Sequence, residues 1–498
     1  MDTIPAVLRA AADRYGEKPA YVDGDRTVSF NGILDLVRRT AAGYRERGFG
    51  AGERAALWAP NSIDWVVAAL AVSYAGGTLV PLNSRYTGHE AADIVERSGA
   101  TLVLVADGFL GRDQIGELRS AAELRNVRDV IDLAALDQLA AEPGDIDEIA
   151  DAVTPDDVAD ILFTSGTTGQ PKGAMSAHRQ TVGVARAWGD LGGVTADDRY
   201  LVVNPFFHSF GYKVGIITGL TTGATLYPLA TFDLDRTMAL IESAKITVLP
   251  GAPAIYQSLL AAPNRADHDL TSLRLAVTGA AVVPVVLIER MREELDINQV
   301  VTAFGMTEAV VVTMARAGDP AELVATTCGR AIPGMEVRID APDGEGGELL
   351  VRGDFVMLGY LDDPGATAEA IDPDGWLHTG DVGVLDDQGN LRITDRLKDM
   401  YISGGFNVYP AEVEQALMRM DGITDVAVVG VPDERMGEVG KAYVVVSTGS
   451  TNEVTPEAVI AFAKDRLANF KVPRFVEHID ALPRNLGGKV LKNELRKK

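Results

Sequence analysis

The sequence predicts an α/β protein of at least two domains, the last a small α+β unit, and three observations carry that prediction. Short apolar runs alternate with amphipathic stretches through residues 1–160 and again through 200–303, the pattern of a sheet with helices on its faces. A run of hydroxyls, glycines and one lysine, Thr164-Ser165-Gly166-Thr167-Thr168-Gly169-Gln170-Pro171-Lys172-Gly173, follows the strand-like Ile161-Leu162-Phe163. In open α/β sheets such strand ends are where ligands bind. Near Asp395 the texture turns charged and polar, as at a domain hinge. At 498 residues the chain is also too long for one core.

Taken in order, residues 33–47 read as an amphipathic helix, 55–58 as a strand and 101–105 as a buried strand. Residues 63–82 have the length and apolarity of a membrane span, but Asp64, Ser73, Gly76, Gly77 and Pro81 argue against it. A buried helix over 64–74, a Gly-Gly break and a short strand over 78–82 fit better. The acidic, alanine-rich stretch 111–157 carries no usable motif beyond a Pro143-Gly144 turn. Strands are expected at 200–203, 246–249, 274–277 and 300–303, each followed by a polar or glycine-containing turn, and residues 346–353 read as glycine-rich β structure. Beyond Asp395-Arg396-Leu397-Lys398-Asp399 and Gly404-Gly405, Pro410 opens a helix with Glu412 and Glu414 in its first turn, which the helix dipole favours. Strands at 426–431 and 441–446 and a helix from 456 to 467 complete the small unit.

Composition narrows the function. A formal charge of −25 argues against nucleic-acid and anionic-membrane partners, so an anionic ligand must be held by local donors. The one cysteine, Cys328, excludes an internal disulfide framework, suits a reducing compartment and has no histidine near it in sequence to make it a nucleophile. Met1-Asp2-Thr3-Ile4-Pro5 shows neither the basic nor the long apolar region of a secretory signal, so a cytoplasmic location is expected.

Several segments carry candidate chemistry. Glycines let successive N–H groups converge on an anion, hydroxyls add donors and lysine adds charge, so the stretch from Thr164 to Gly173 reads as a phosphate cradle. It is not the P-loop pattern, because Gly173 follows Lys172 where Ser or Thr would be needed. Phe304-Gly305-Met306-Thr307-Glu308, in the turn after a strand ending at Ala303, offers a flat ring for a base and a carboxylate for Mg²⁺, a cation that often takes only one or two protein ligands. Trp376-Leu377-His378-Thr379-Gly380-Asp381 offers a carboxylate for ribose hydroxyls, and Pro205-Phe206-Phe207-His208-Ser209-Phe210-Gly211-Tyr212 forms an aromatic wall with one histidine. Pro483-Arg484-Asn485-Leu486-Gly487-Gly488-Lys489 is a glycine-flexed tip bearing a lysine. Each of these last four alone reads as readily as packing or as a solvated loop.

In this order and spacing, the segments together resemble the adenylate-forming acyl-CoA synthetases, the superfamily that also holds firefly luciferase and peptide-synthetase adenylation domains. The resemblance covers nearly the whole chain, with two departures: Phe304 stands where the family more often has Tyr, and Gly487 where it often has Thr or Ser. It implies an AMP-binding domain over 1–395, built of stacked α/β subdomains plus a β-barrel-like subdomain, and a mobile C-terminal domain over 396–498 hinged near Lys398. It also implies a reaction in two halves that uses ATP, Mg²⁺ and coenzyme A: a carboxylic acid becomes an acyl-adenylate with release of pyrophosphate, then the thiol of coenzyme A displaces AMP.

Carried over residue by residue, catalytic roles fall on Lys489, Glu308, His208 and Thr164, with Glu308 as the Mg²⁺ ligand. Phosphate contacts fall on Thr164, Ser165, Gly166, Thr167, Thr168, Gly169 and Lys172, of which Lys172 ranks below Lys489; Phe304 takes adenine, Thr307 the α-phosphate, and Asp381 and Arg396 the ribose. Rotation at Lys398 brings in Gly404 and Gly405 for coenzyme A. The acid pocket falls on Phe207, Tyr212, Gly279, Ala280, Ala281 and Val310, with His208 as its gate. An apolar wall with room at Ala280 and Ala281 favours a medium-chain or alicyclic acid.

The wording from Phe206 to Lys213, from Ala325 to Arg330 and from Asp399 to Pro410 most resembles actinobacterial ligases for the methyl-dioxo-hydrindane propanoate left after steroid ring opening, though Val310 and Val311 replace polar or glycine residues. A fatty-acid CoA ligase and a ligase that loads a carrier protein are the alternatives. A homodimer is one option for assembly. Lys213, beside Tyr212, is a charge that near an apolar pocket would want a partner, with a surface position the more expected reading.

Overall fold

The computed structural model describes residues 2–497 except 165–170, 280–284, 342–345, 397–398, 404–405, 409, 434–435, 448–453, 465, 468, 470 and 486–489, with backbone alone at 279, 395, 396, 402, 406, 407 and 412. Two large sheets share one core. In the first, seven strands run in the order Gly359–Tyr360, Lys172–Ala177, Val158–Thr164, Thr78–Leu82, Arg54–Trp58, Leu102–Val105 and Asp129–Asp132, and the last five are parallel. In the second, nine run in the order Arg330–Ala331, Ala309–Met314, Gln299–Met306, Leu275–Gly279, Val248–Gly251, Arg199–Val202, Thr225–Pro228, Pro19–Asp23 and Arg26–Ser29. Its middle, from Gln299–Met306 to Pro19–Asp23, is parallel. Every residue of Thr78–Leu82, Leu102–Val105 and Val248–Gly251 is buried, as parallel strands covered on both faces require.

The apolar segment that had the length of a membrane span is a helix, Ile63–Tyr74, then a break at Gly76 (φ +80°) and the strand Thr78–Leu82. Ser62 caps the helix by accepting the Trp65 N–H at 3.0 Å, and all of its side chains except Asp64 are buried. They join a single cluster with Leu57 and Leu79 of the seven-stranded sheet and Tyr200, Val248 and Leu275 of the nine-stranded sheet. No helix among the described residues is long and apolar enough to cross a membrane.

A four-stranded antiparallel sheet, Met335–Asp340, Gly347–Gly353, Leu377–Leu385 and Leu391–Arg396, supplies the barrel-like subdomain. The C-terminal unit pairs Phe406–Val408, Tyr401–Ser403, Gly437–Val446 and Ile423–Asp433, with Phe475–His478 added to Gly437–Val446. Helices Pro410–Leu417 and Pro456–Lys464 help close a core of its own around Tyr401, Val413, Val428, Val444 and Val459. Two expectations change in detail. Residues 111–157 hold helices Gln114–Ala121 and Ile146–Ala152 and the edge strand Asp129–Asp132, whose acidic ends hide it. The strand expected to stop at Ala303 runs on through Met306 and folds back as Ala309–Met314.

Lys213 is not at the surface. It lies in a π-helical stretch, Tyr212–Ile217, and is 1% exposed. Its ammonium sits 2.9 Å from Asp160 Oδ1 and donates to Ser176 Oγ at 2.8 Å, while Thr181 Oγ1 donates to Asp160 Oδ2 at 2.7 Å. Nothing within a few residues of Lys213 announces a partner, because Asp160 lies on the distant strand Val158–Thr164. Breaking a buried pair strands the other charge at a cost of about 3–5 kcal/mol, whereas replacing both members with apolar groups is often neutral. Lys213→Met should therefore lower the thermal midpoint sharply, and Lys213→Met with Asp160→Leu should recover most of the loss, both read by calorimetry.

His178 opens the helix His178–Gly192, is 1% exposed, and accepts the Ile4 N–H on Nδ1 at 3.2 Å, docking the first helix, Ile4–Tyr15. Burial lowers its pKa from 6.5 to about 4. The unfolded chain then takes up a proton that the folded chain refuses, so stability present above pH 6.5 is lost as pH falls toward about 4. The loss attributable to this group reaches up to about 3 kcal/mol. His178→Asn, which keeps an acceptor, should flatten the fall in urea midpoint over that window relative to the parent chain.

Candidate active site

Parallel strands deliver their carboxyl ends to one edge of a sheet, and ligands bind beyond that edge. In the nine-stranded sheet, Arg199–Val202 leads to the His208 segment, Leu275–Gly279 ends at Gly279, and Gln299–Met306 carries Phe304 into the Thr307–Glu308 turn. The pairing of Gly279 with Ala303 sets that glycine beside Phe304. Asn61, which the motifs did not reveal, clamps the first of these ends: its amide donates to Asn204 O at 2.9 Å and its carbonyl accepts the Phe206 N–H at 2.7 Å.

The hairpin after Phe304 needs its glycine. A Cβ at Gly305 would sit 1.9 Å from Val310 O, far inside van der Waals contact. The register also shifts between Phe304, opposite Thr313, and Met306, opposite Ala309. Thr307 is half-buried, and Glu308 is 8% exposed. Glu308 Oε1 accepts from the Tyr360 hydroxyl at 2.8 Å. Its own backbone carbonyl accepts the Met357 N–H at 2.8 Å.

On the seven-stranded sheet, Thr164 ends one strand and Lys172 begins the next, opposite each other, with Thr164 Oγ1 donating to Lys172 O at 3.5 Å. Ser165, Gly166, Thr167, Thr168 and Gly169 between them lie outside the described residues. The Lys172 ammonium stands 5.2 Å from the centroid of the Tyr360 ring, within cation–π range. Lys172, Tyr360 and Glu308 thus form one group, which joins the phosphate stretch to the Phe304–Glu308 turn. Tyr360 was missed because its signal is only a Gly-Tyr pair on a two-residue strand, Gly359–Tyr360.

The ribose candidates meet by register, since Asp381 pairs with Arg396 across Leu377–Leu385 and Leu391–Arg396. Asp381 is 4% exposed within a strand, after Gly380 at φ +69°, and so is not a solvated loop residue. The Arg396 side chain is not among the described atoms. Thr313, opposite Phe304, donates to Cys328 O at 2.8 Å, and the nearby Asp381 charge helps raise the Cys328 thiol. Burial is the main cause that pushes Cys328 up to about 11, as befits a packing residue rather than a nucleophile.

On the acid side, His208 caps the short helix Ser209–Gly211 by accepting the Phe210 N–H on Nδ1 at 3.2 Å. The residue is exposed, and desolvation lowers its pKa. Tyr212 departs from expectation. It is 0% exposed, its ring edge-on to Trp65 at 5.9 Å, so it presents no surface to a ligand. Phe207, Phe304 and Val310 are each half-buried and so keep surface that a ligand could meet. Ala280, Ala281, Lys398, Gly404, Gly405 and Lys489 lie outside the described residues.

Glu308 fits the Mg²⁺ expected of it. Mg²⁺ takes hard oxygen donors and often only one or two carboxylates beside substrate phosphates, and the second Glu308 oxygen has no hydrogen bond among the described residues. Those residues hold no cluster of three or more metal-ligating side chains, so a cation here would lean on the phosphates. A cavity of about 290 Å³ opens where Ala252 and Pro253, beyond Val248–Gly251, face Gln415 and Met418 at the end of Pro410–Leu417.

Comparison with known proteins agrees with this arrangement. Residues 8–361 match the AMP-binding enzyme family and residues 412–489 its C-terminal domain. The chain is 56% identical, over 99% of its length and 98% of the relative's, to the 3-[(3aS,4S,7aS)-7a-methyl-1,5-dioxo-octahydro-1H-inden-4-yl]propanoyl:CoA ligase of Rhodococcus jostii (strain RHA1). It is 53% identical, over the same shares, to the ligase of that name from Mycobacterium tuberculosis. The structure superposes on ATP-bound MatB from Rhodopseudomonas palustris with a TM-score of 0.87 at 30% identity, covering 99% of this chain and 98% of that one. The chain belongs to the AMP-binding enzyme family and is an AMP-forming acid–CoA ligase that uses ATP, Mg²⁺ and coenzyme A.

Proposed function

We propose that this ligase activates the steroid-derived bicyclic acid 3-(7a-methyl-1,5-dioxo-octahydroinden-4-yl)propanoate. The observation that carries this reading is the 56% identity, over 99% of the chain, to the Rhodococcus jostii ligase of that name. The half-buried Phe207, Phe304 and Val310 support it, because a fused-ring acid asks for an apolar wall.

In the first half-reaction an oxygen of the substrate carboxylate attacks the α-phosphorus of ATP, forming the acyl-adenylate while pyrophosphate leaves. Attack by an anion on a polyanion needs donors already in place. We assign the leaving β- and γ-phosphates to the stretch from Thr164 to Lys172, the α-phosphate to Thr307 and Lys489, adenine to Phe304, and ribose to Asp381 and Arg396. Mg²⁺, when bound, neutralises phosphate charge, and Glu308 supplies its carboxylate oxygen. Neutral His208 lines the acid entrance. In the second half-reaction the thiol of coenzyme A attacks the acyl carbon, loses its proton, and releases AMP.

We place the domain division at 395/396 with Lys398 as hinge, and Gly404-Gly405 against the incoming pantetheine. The separate core around Tyr401 and Val444 and the cavity at the junction support a small domain that changes place. A cytoplasmic location accords with these soluble substrates and with an unpaired Cys328.

Two outcomes are expected. Lys489→Ala should cut ATP–pyrophosphate exchange by about 10²–10³-fold, the usual cost of one preorganised donor, yet still transfer a supplied acyl-adenylate to coenzyme A. Unimpaired exchange would sink the assignment. In a panel of acids scored by coenzyme A-dependent AMP release, the dioxo-hydrindane propanoate should exceed C6 to C12 fatty acids in kcat/KM by tenfold or more. A preference for the fatty acids, or transfer to a carrier-bound phosphopantetheine with free coenzyme A inert, overturns the substrate reading.

A further inference from the structure

The segment from Val356 to Leu361 is a strap between two parts of the nucleotide site. On one side it grips the Glu308 turn: the Met357 N–H donates to Glu308 O at 2.8 Å, Val356 bridges Ala309, and the Tyr360 hydroxyl donates to Glu308 Oε1 at 2.8 Å. On the other it grips the strand Lys172–Ala177, which leads out of the phosphate stretch: the Leu358 N–H donates to Met175 O at 2.9 Å and the Leu361 N–H to Gly173 O at 2.8 Å. The strap is itself moored from behind, where the Gln180 side chain donates to Val356 O. Every bond but one on its active-site side is made by backbone. The exception is the Tyr360 hydroxyl, the one group in the strap that meets a side chain expected to touch Mg²⁺.

From this geometry we propose that Tyr360 is a positioning residue: its hydroxyl fixes one oxygen of Glu308 so that the other faces the cation, and its ring seats the Lys172 ammonium beside the phosphates. A free carboxylate rotates, and ordering it when MgATP arrives costs binding energy; a carboxylate already held by a phenol has lost that freedom. Groups that orient a metal ligand typically contribute 10–100-fold in metal affinity. The ring acts separately, through the 5.2 Å approach of Lys172. This ties the binding of the cation to the binding of the outer phosphates through one side chain.

The inference rests on the adenylation reading above, and the full-length chain can separate the two. Mg²⁺ would be titrated against binding of a fluorescent 2′-O-anthraniloyl ATP, without acid or turnover, and in parallel against ATP–pyrophosphate exchange. Tyr360→Phe, which keeps the ring, should raise the Mg²⁺ concentration for half-saturation about tenfold in both assays, with KM for the acid unchanged. Tyr360→Leu should in addition weaken binding of the nucleotide measured without Mg²⁺. In a Glu308→Gln background Tyr360→Phe should cause no further loss, because the hydroxyl acts through that carboxylate. A parental Mg²⁺ dependence in Tyr360→Phe, or losses that simply add, overturns the proposal, and so does failure of Tyr360→Phe to fold, since the hydroxyl would then be holding the hairpin. Absence of Mg²⁺-dependent exchange in the parent chain would instead overturn the adenylation reading.

Discussion

The ion pair between Lys213 and Asp160 sets the relation between the two halves of the site. Asp160 lies on Val158–Thr164, the strand that runs into the phosphate stretch, and Ser176, which accepts from the same ammonium, lies on the strand that leaves it. Lys213 belongs to the π-helical turn that follows the His208 segment. One buried ammonium therefore joins both strands flanking the phosphate stretch to the element that follows His208. Both charges are out of water, at 1% and 0% exposure of their side chains, so neither tolerates loss of the other. A reaction that must bring a carboxylate oxygen to an α-phosphorus is sensitive to errors of an ångström in how its two binding regions face each other. Two long sheets meeting only through apolar packing can slide by rotamer changes; a paired and hydrogen-bonded charge allows one arrangement.

Where the fold was legible in the sequence, the reason is burial. Leu102–Val105 and Thr78–Leu82 are continuous apolar runs because parallel strands covered by helices have no wet face. Ile63–Tyr74 declares its end by Gly76, whose φ of +80° few other residues adopt. Where the fold was not legible, the determinants lie far apart in the chain. Asp129–Asp132 takes its place from Leu102–Val105, with which it pairs, and its own residues carry only two apolar side chains. Lys213 looks like a surface lysine until the fold delivers Asp160 to it. Tyr360 carries no local mark of importance, since its two partners, Glu308 and Lys172, both lie far upstream of it in the chain. The motif residues Phe304, Thr307, Glu308 and Asp381 stand out as candidates in the sequence because their chemistry is local: a ring, a hydroxyl or a carboxylate after a glycine. Tyr212 misled for the opposite reason, since an aromatic beside a site motif serves equally as wall or as core, and its ring packs on Trp65.

The departure at Phe304 has a physical reading of its own. The residue is half-buried on a strand that pairs with Ala309–Met314, and the neighbouring Gly305 leaves no room for a Cβ against Val310 O. The hairpin backbone is thus held by close contact, and Phe304 stays in place without a hydroxyl to anchor it. A phenol at that position would need a partner wherever it was buried, and a benzyl ring asks for none. Stacking on a base depends on the ring face, which both residues offer, so the substitution keeps the aromatic function and drops a hydrogen-bonding obligation.

The overall charge places a further demand on the site. At −25 the chain repels a nucleotide triphosphate at long range, so nucleotide affinity has to come from short-range donors that outweigh this field over a few ångströms. A lone lysine in solvent contributes little in such a setting, because water and salt screen it. An ammonium held over an aromatic ring is different: Lys172 stands at 5.2 Å from the Tyr360 ring, half-buried, with its direction constrained and part of its water shell already gone. The same tyrosine binds the Glu308 carboxylate, so a positive and a negative group are kept apart by a ring and are not allowed to neutralise each other directly. That separation is what a site for a metal–phosphate complex requires, since the carboxylate has to remain available to the cation and the ammonium to the anion.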